Sequence, residues 1–497
     1  MPRLTRFFIL LALSVVCIAA AGGVLLGQMA RYNALLGRFP AGFVLAGVPA
    51  GGLDAPTAAA RLRQVYAATP VELRVDGARL HIDPAAAGQR LDVDAAAQAA
   101  MQALQGQPYW DGLWGYLWNR PRLAPPAVPN ALVCTVDEAR LAEYLNQVVA
   151  PRYQQLPEPA RPAAPADARF LPGSPGVTLD LHNAAVQVRA ALCQPAPRAV
   201  SINSSAQEAP PAALDDLAIL MQTIVQASGF PGVIEVYLQD LRGGQEINFA
   251  MSGGRSVEPG IAFTAASTIK IPVMVSAYQR LAPPLPADVQ QKMAEMIDLS
   301  DNTSTDAVMQ RVLDPNIAPV QVTEDAQKLG MENTFLAGFF YPGAPLLNRY
   351  TTPANTRTDI STDPDGYNQT SPADMGRLLA AIYRCASGAD GPIRAAFDGA
   401  IAQEECQAML ALLTANRKGV LIENGLPDGA RMGHKYGWVT DPLDNLMHNA
   451  SDAAVIYSPG GDYILTIYAY QGDQLHWDPL QRLVAWLTTA SYNFFNH

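Results

Sequence analysis

The sequence predicts an α+β protein carried on a membrane-spanning N-terminal helix, with two small α+β modules ahead of a larger α+β domain. Three observations predict it. An uncharged run of apolar and small residues fills positions 7–30. Two blocks between residues 40 and 204 each combine a helical apolar face, strand material and a Gly-x-x-Leu-Asp turn. From about Leu214 the pattern changes to helix, strand, turn, strand and helix, and it closes on three successive strand candidates.

Arg3 and Arg6 precede the apolar run, which is long enough to cross a bilayer as one helix. A secretory signal has a shorter apolar region, although Ala19-Ala20-Ala21 offers a small-residue cleavage site. Val16 before Cys17 suits a lipoprotein processing site poorly. The expectation is a cytoplasmic tail (1–6), a single span (7–30) and an extracytoplasmic remainder, with secretion after cleavage as the alternative. Cys17 lies within the span. The other four cysteines permit two bridges, and pairing within each proposed domain gives Cys134–Cys193 and Cys385–Cys406. No C-x-x-C spacing occurs, which argues against zinc, and no metal or cofactor is expected. The 497 residues carry a net charge of −11, with no basic stripe to neutralise phosphates, so nucleic acid is not an expected partner.

The first module (40–120) opens with Asp54, a good helix N-cap, and with Ala58, Leu62, Val65 and Tyr66 on one helical face. Val71–Val75 and Arg79–Ile82 alternate around Asp76-Gly77, a tight hairpin signal. Gly88 to Asp94 then leads into the alanine-rich helix Ala95–Leu104. The second module (131–204) has Asp137 capping a helix from Glu138 to Val149. Gly176–Leu181, a helix from Ala184 to Leu192 and a strand from Arg198 to Ile202 follow. Proline-rich breaks at Pro121–Pro129, Pro157–Pro165 and Pro195–Pro211 read as linkers or long loops, with 205–213 joining the last domain (214–497). Gly47-Val48-Pro49-Ala50-Gly51-Gly52-Leu53, Leu91-Asp92-Val93-Asp94 and Gly176-Val177-Thr178-Leu179-Asp180 resemble small peptidoglycan-binding-type modules of bacterial cell-envelope proteins, including those of the vancomycin-resistance-associated type. The resemblance implies cell-wall contact; a rigid spacer is the alternative.

The chemistry is concentrated in three short motifs. Ser267-Thr268-Ile269-Lys270 ends an apolar run and sets a hydroxyl and an amine one helical turn apart on one face. The chain has only five lysines (Lys270, Lys292, Lys328, Lys418, Lys435), and only Lys270 has a serine three positions before it. An arginine would keep its proton, whereas a desolvated lysine can act as a base. Ser300-Asp301-Asn302 falls between two helices, where serine and aspartate also serve as plain caps. Lys435-Tyr436-Gly437-Trp438 lies on a strand candidate, where a solvent-facing edge lysine would be unremarked.

In that order the three motifs resemble the serine β-lactamase and penicillin-binding protein family, most closely class A, over roughly Leu214 to His497. Ala265–Val273 matches the first motif, and Gln369–Met375 matches the family's Thr-Pro helix start. The resemblance implies an antiparallel sheet packed with helices and a Ser267 acyl-enzyme formed on β-lactams or related cell-wall acyl-peptides. Lys270 is then the base, Ser300 the proton relay, Asn302 and Lys435 substrate contacts, and the Ser267 and Trp438 N–H groups the oxyanion hole. A D,D-carboxypeptidase and a slow-turnover penicillin-binding or sensory wall protein are the alternatives. The chain departs from the pattern in three ways. Tyr436 replaces a threonine or serine, the Ser267–Ser300 interval is short, and no Glu-x-x-Leu-Asn occurs between Ser300 and Thr370. The acidic loop with Asp359, Asp363 and Asp365 could supply the missing base only by folding over the site.

Overall fold

The computed structural model describes residues 2–120, 122, 128–281, 284–416 and 421–496. Most of the Pro121–Pro129 break, together with Lys418, therefore lies outside the described residues. Helix α1 (Pro2–Leu36) runs through and beyond the expected span, and from Leu4 to Leu36 it is long and apolar enough to cross a membrane. Two compact units follow from the chain's contacts: residues 1–158 with 175–208, and residues 159–174 with 209–497.

In the first unit the aspartates act as the sequence suggests. Asp54 caps α2 (Ala55–Tyr66) by accepting the Thr57 N–H. Asp92 caps α3 (Val93–Gln105), Asp137 caps α5 (Glu138–Tyr144) and Asp180 caps α6 (Leu181–Leu192) in the same way. The repeated Gly-x-x-Leu-Asp is thus a strand end followed by a helix cap. Strands β1 (Val71–Val75) and β2 (Ala78–Ile82) form the hairpin over Asp76 and Gly77, both with positive φ.

The two blocks read along the chain do not fold apart. Strand β6 (Ala199–Ile202) pairs in parallel with β1, giving the sheet order β6-β1-β2. Val71, Leu73, Val75 and Ile82 bury against Leu141, Leu145, Val188 and Leu192 of the later block. Strand β3 (Gln89–Leu91) likewise pairs with β4 (Cys134–Val136), and Cys134 is bonded to Cys193. The expected linker at 205–213 begins as strand β7 (Ser204–Gln207), paired with β5 (Gly176–Leu179). Its small polar side chains hide the strand pattern. Helix α4 (Tyr109–Leu117) has no counterpart in the sequence reading, because Gly112, Gly115 and four aromatic residues mask its periodicity.

In the second unit a six-stranded antiparallel sheet runs β10-β9-β8-β15-β14-β13. These strands are β8 (Val233–Asp240), β9 (Glu246–Ser252), β10 (Arg255–Val257), β13 (Arg431–Thr440), β14 (Met447–Tyr457) and β15 (Tyr463–Tyr470), while β11 (Phe263–Thr264) and β12 (Asn368–Thr370) pair with each other outside this sheet. The period of two sorts each central strand between two cores. Ile234, Val236 and Leu238 face the layer formed by α7 (Leu214–Ser228) and α14 (Trp477–Phe495); Val233 and Tyr237 face the opposite helical lobe. That lobe comprises α8 (Lys270–Arg280), α9 (Ala287–Asp298), α10 (Asn302–Val312), α11 (Ala318–Lys328), α12 (Pro372–Ala386) and α13 (Gln403–Ala415). Ser371 caps α12, and the Cys385–Cys406 bond ties α12 to α13. The segment 159–174, which covers most of the Pro157–Pro165 break and part of the expected second module, folds into this unit as a hairpin of Arg161–Pro162 on Phe170–Leu171.

Candidate active site

Ser267 sits in a short 3-10 turn (Ala266–Ile269) that runs directly into α8. Ala266, just before it, has φ 47°, a left-handed conformation that costs a non-glycine residue energy and persists only when its surroundings enforce it. They do so here: Thr268 Oγ1 donates to the Ala265 carbonyl at 2.6 Å and accepts from the buried Tyr468 hydroxyl at 2.7 Å. One turn on, Lys270 is fully buried. Its Nζ donates to Ser267 Oγ at 3.1 Å, the Ser300 carbonyl at 2.6 Å and Asn302 Oδ1 at 2.8 Å, with Ser300 Oγ at 3.3 Å. Burial pulls its pKa down to about 8, against the opposing pull of Asp301 and Asp306.

Ser300 also adopts a left-handed backbone, with φ 59°. Asp301 caps α10 by accepting the Ser304 N–H, while Ser304 Oγ donates to Glu295 Oε2 on α9 at 2.7 Å, so two helix ends grip the turn. From the other side, Lys435 Nζ on edge strand β13 donates to Ser300 Oγ at 3.0 Å. Ser300 Oγ therefore bridges the two lysines. Alternation along β13 sends Lys435 and Gly437 toward the Ser267 turn. A Cβ at Gly437 would lie 2.8 Å from the Ser267 nitrogen, so only glycine lets the strand pass that close. Trp438 follows Gly437 directly on the strand.

The structure thus brings Ser267, Lys270, Ser300, Asn302, Lys435 and Gly437 together. Tyr436 is different. It is 4% exposed, its ring lies 4.0 Å from Lys435 Nζ, and it stacks on Trp438 at 4.8 Å. It therefore offers Lys435 an aromatic face where the resemblance has a hydroxyl for substrate. Among the described residues no hydrogen bond joins Asp359, Asp363 or Asp365 to Ser267 or Lys270. Asp359 pairs with Arg357, and Asp365 accepts the Tyr367 N–H.

Sequence reasoning gave no role to four residues. Phe340 presents its ring 5.3 Å from Lys270 Nζ and is held by its own N–H, which donates to Asp306 Oδ1 at 2.9 Å. The run Phe339-Phe340-Tyr341 gives no sign of which ring turns inward. Glu235, a charge in the middle of the largely apolar strand β8, was a readable signal. It is fully buried, accepts the Gly260 and Ile261 N–H groups, and is pushed by burial up to about 7. Behind Lys435, His434 Nδ1 and Asp452 Oδ1 meet at 2.8 Å with both side chains buried, which ties β13 to β14. At the far end of that hairpin, Asp441, Asp444 and His448 are close enough to share a cation, although His448 Nε2 already pairs with Asp444.

Residues 280–495 match the beta-lactamase enzyme family, a segment that begins just after Ser267 and Lys270. No curated protein matches the chain. Among solved structures, a β-lactamase from Sphaerobacter thermophilus is 20% identical with a TM-score of 0.40, over 57% of this chain and 98% of its own. A β-lactamase from Desulfarculus baarsii is 19% identical with a TM-score of 0.41, over 57% and 99%. The protein PBP-A is 20% identical with a TM-score of 0.39, over 57% and 97%. By its residues 280–495 the C-terminal unit is β-lactamase-like, the family that its three motifs also resemble.

Proposed function

We propose that this protein is a membrane-anchored, extracytoplasmic serine hydrolase that reacts with β-lactams or related cell-wall acyl-peptides through an acyl-enzyme on Ser267, and that it releases the acyl group slowly. One observation carries the reading: a buried lysine with a pKa of about 8 lies 3.1 Å from the Ser267 hydroxyl. At pH 7 roughly one Lys270 in ten is then neutral and able to take the serine proton as Oγ attacks the carbonyl carbon. The Ser267 and Trp438 N–H groups would hold the developing oxyanion. Ser300, between the two lysines, would pass the proton to the leaving nitrogen as the amide bond breaks. Lys435 supplies positive charge for a substrate carboxylate, and Asn302 orients the substrate amide.

Slow release follows from Phe340. Hydrolysis of the ester needs a base that holds a water, and an aromatic ring, not a carboxylate, lies against Lys270. A general base contributes about 10²–10⁴-fold, so its absence leaves deacylation rate-limiting. The test is to incubate the full-length protein with a fluorescent penicillin beside Ser267→Ala. The expected result is a burst stoichiometric with protein, slow turnover and an adduct on Ser267 by intact mass. Steady turnover with no trapped adduct would overturn the slow-release reading, and absence of label on the wild type would overturn the acyl-enzyme itself.

A further inference from the structure

We infer that helix α4 is a membrane-interface anchor, with Trp110, Trp114 and Trp118 seated at the boundary between lipid headgroups and acyl chains beside the exit of α1. The inference rests on the reading of α1 as a membrane span.

The three tryptophans recur every fourth residue, so they form one stripe along the helix and its C-cap. They are 60%, 56% and 73% exposed, half of the chain's six tryptophans, turned outward on a helix of about two and a half turns. A soluble protein rarely leaves such large apolar rings in a row without a partner for them.

The opposite face of α4 says where the stripe lies. Tyr109, Gly112 and Tyr116 pack on the last turns of α1. The Tyr32 ring meets Tyr109 and Tyr116, each at 5.5 Å between centroids, and the Tyr116 hydroxyl donates to Gln28 Oε1 at 3.2 Å. A Cβ at Gly112 would strike the Tyr32 hydroxyl, so glycine is what lets the two helices touch. Beyond α4, Arg122 Nη1 donates to the Leu35 and Arg38 carbonyls and closes the end of α1. The stripe is thus fixed to α1 near positions 28–38.

Those positions have a definite depth. The uncharged run 7–30, at about 1.5 Å per residue, covers about 36 Å, slightly more than the ~30 Å hydrocarbon core. Gln28 and Tyr32 therefore fall at the outer boundary, the level at which indole rings combine an apolar body with an N–H for the headgroups. The occupant of the stripe is the bilayer surface itself, the same medium that covers the exposed apolar side chains Val24, Leu25 and Leu26 of α1.

The experiment uses the full chain in phosphatidylcholine vesicles, with and without bromine on the acyl chains, beside a Trp110→Phe/Trp114→Phe/Trp118→Phe variant. Carbonate extraction reports separately on α1 insertion. With α1 inserted, brominated lipid should quench about half of the wild-type emission, and the variant should lose most of that quenching. Equal quenching of wild type and variant, or protection of the three rings by a second copy or another protein instead of lipid, would overturn the interface anchor. Release of the chain by carbonate would overturn the span reading and, with it, this inference. The substituted rings are exposed, so the Tyr32 contacts should survive, as an unchanged circular dichroism spectrum would verify.

Discussion

At the scale of single residues, the site depends on how burial and charge divide control of Lys270. Asp301 and Asp306 raise its pKa while burial lowers it, and burial wins. Only the neutral amine accepts the serine proton, so the acylation rate should rise with pH, reach half its maximum near pH 8 and level off about one unit higher. Asp306→Asn keeps an oxygen for the Phe340 N–H but removes a negative charge, so the midpoint should move to lower pH. Stopped-flow acylation across pH 5–10 reads both, and a midpoint indifferent to Asp306 would exclude Lys270 as the titrating base. Lys435 makes a different claim. If it recognises charge, Lys435→Ala should slow acylation by carboxylate-bearing substrates by about 10²-fold and by neutral esters far less. Equal losses would mean that Lys435 only braces Ser300. Ser267 and Lys270 were legible because a rare residue type stood at a spacing with a geometric meaning. Phe340 and the His434–Asp452 pair were not, because which side chain turns inward is decided by packing across distant segments.

At the scale of elements, the site is a seam between the 3-10 turn that carries Ser267 and the edge strand β13. Neither can shift without the other, because Gly437 lets their backbones approach to within less than a side chain's width. Gly437→Ala should push β13 away from the Ser267 nitrogen and pull the Trp438 N–H out of line. Removing one oxyanion donor costs about 10²–10³-fold, so acylation should fall at least about 10²-fold while the melting temperature changes little. Near-wild-type acylation would mean that the Trp438 N–H takes no part. The strands were readable because β-branched and aromatic residues recur along them, as in β8, where Ile234, Val236 and Leu238 alternate with Val233, Glu235 and Tyr237. Helix α4 was not, since its face is defined by Tyr32, a residue 77 positions upstream of its first tyrosine (109 − 32). The caps were readable because aspartate before a helix acts locally.

At the scale of the molecule, sequence order and spatial order part company in the first unit. A repeat is visible along the chain, yet the hairpin β1–β2 of the earlier block lies in the core of the later one. Val71, Leu73, Val75 and Ile82 are at most 1% exposed there. Burying four such side chains contributes about 6–12 kcal/mol in total, comparable to the whole stability of a small domain. A fragment of residues 40–120 would expose all four and lose β6 as the partner of β1. The Asp54 and Asp92 caps remain in that fragment, but each is worth only about 1 kcal/mol, too little to hold it together. The fragment should therefore lack a cooperative melting transition and bind a hydrophobic dye, whereas a fragment of residues 37–208 should melt cooperatively. Reduction of Cys134–Cys193 should then lower that transition by a few kcal/mol, as expected for a loop of this length. A sharp, two-state transition in the 40–120 fragment would mean that the earlier block is an independent module after all, held to the later one by docking and not by a shared core.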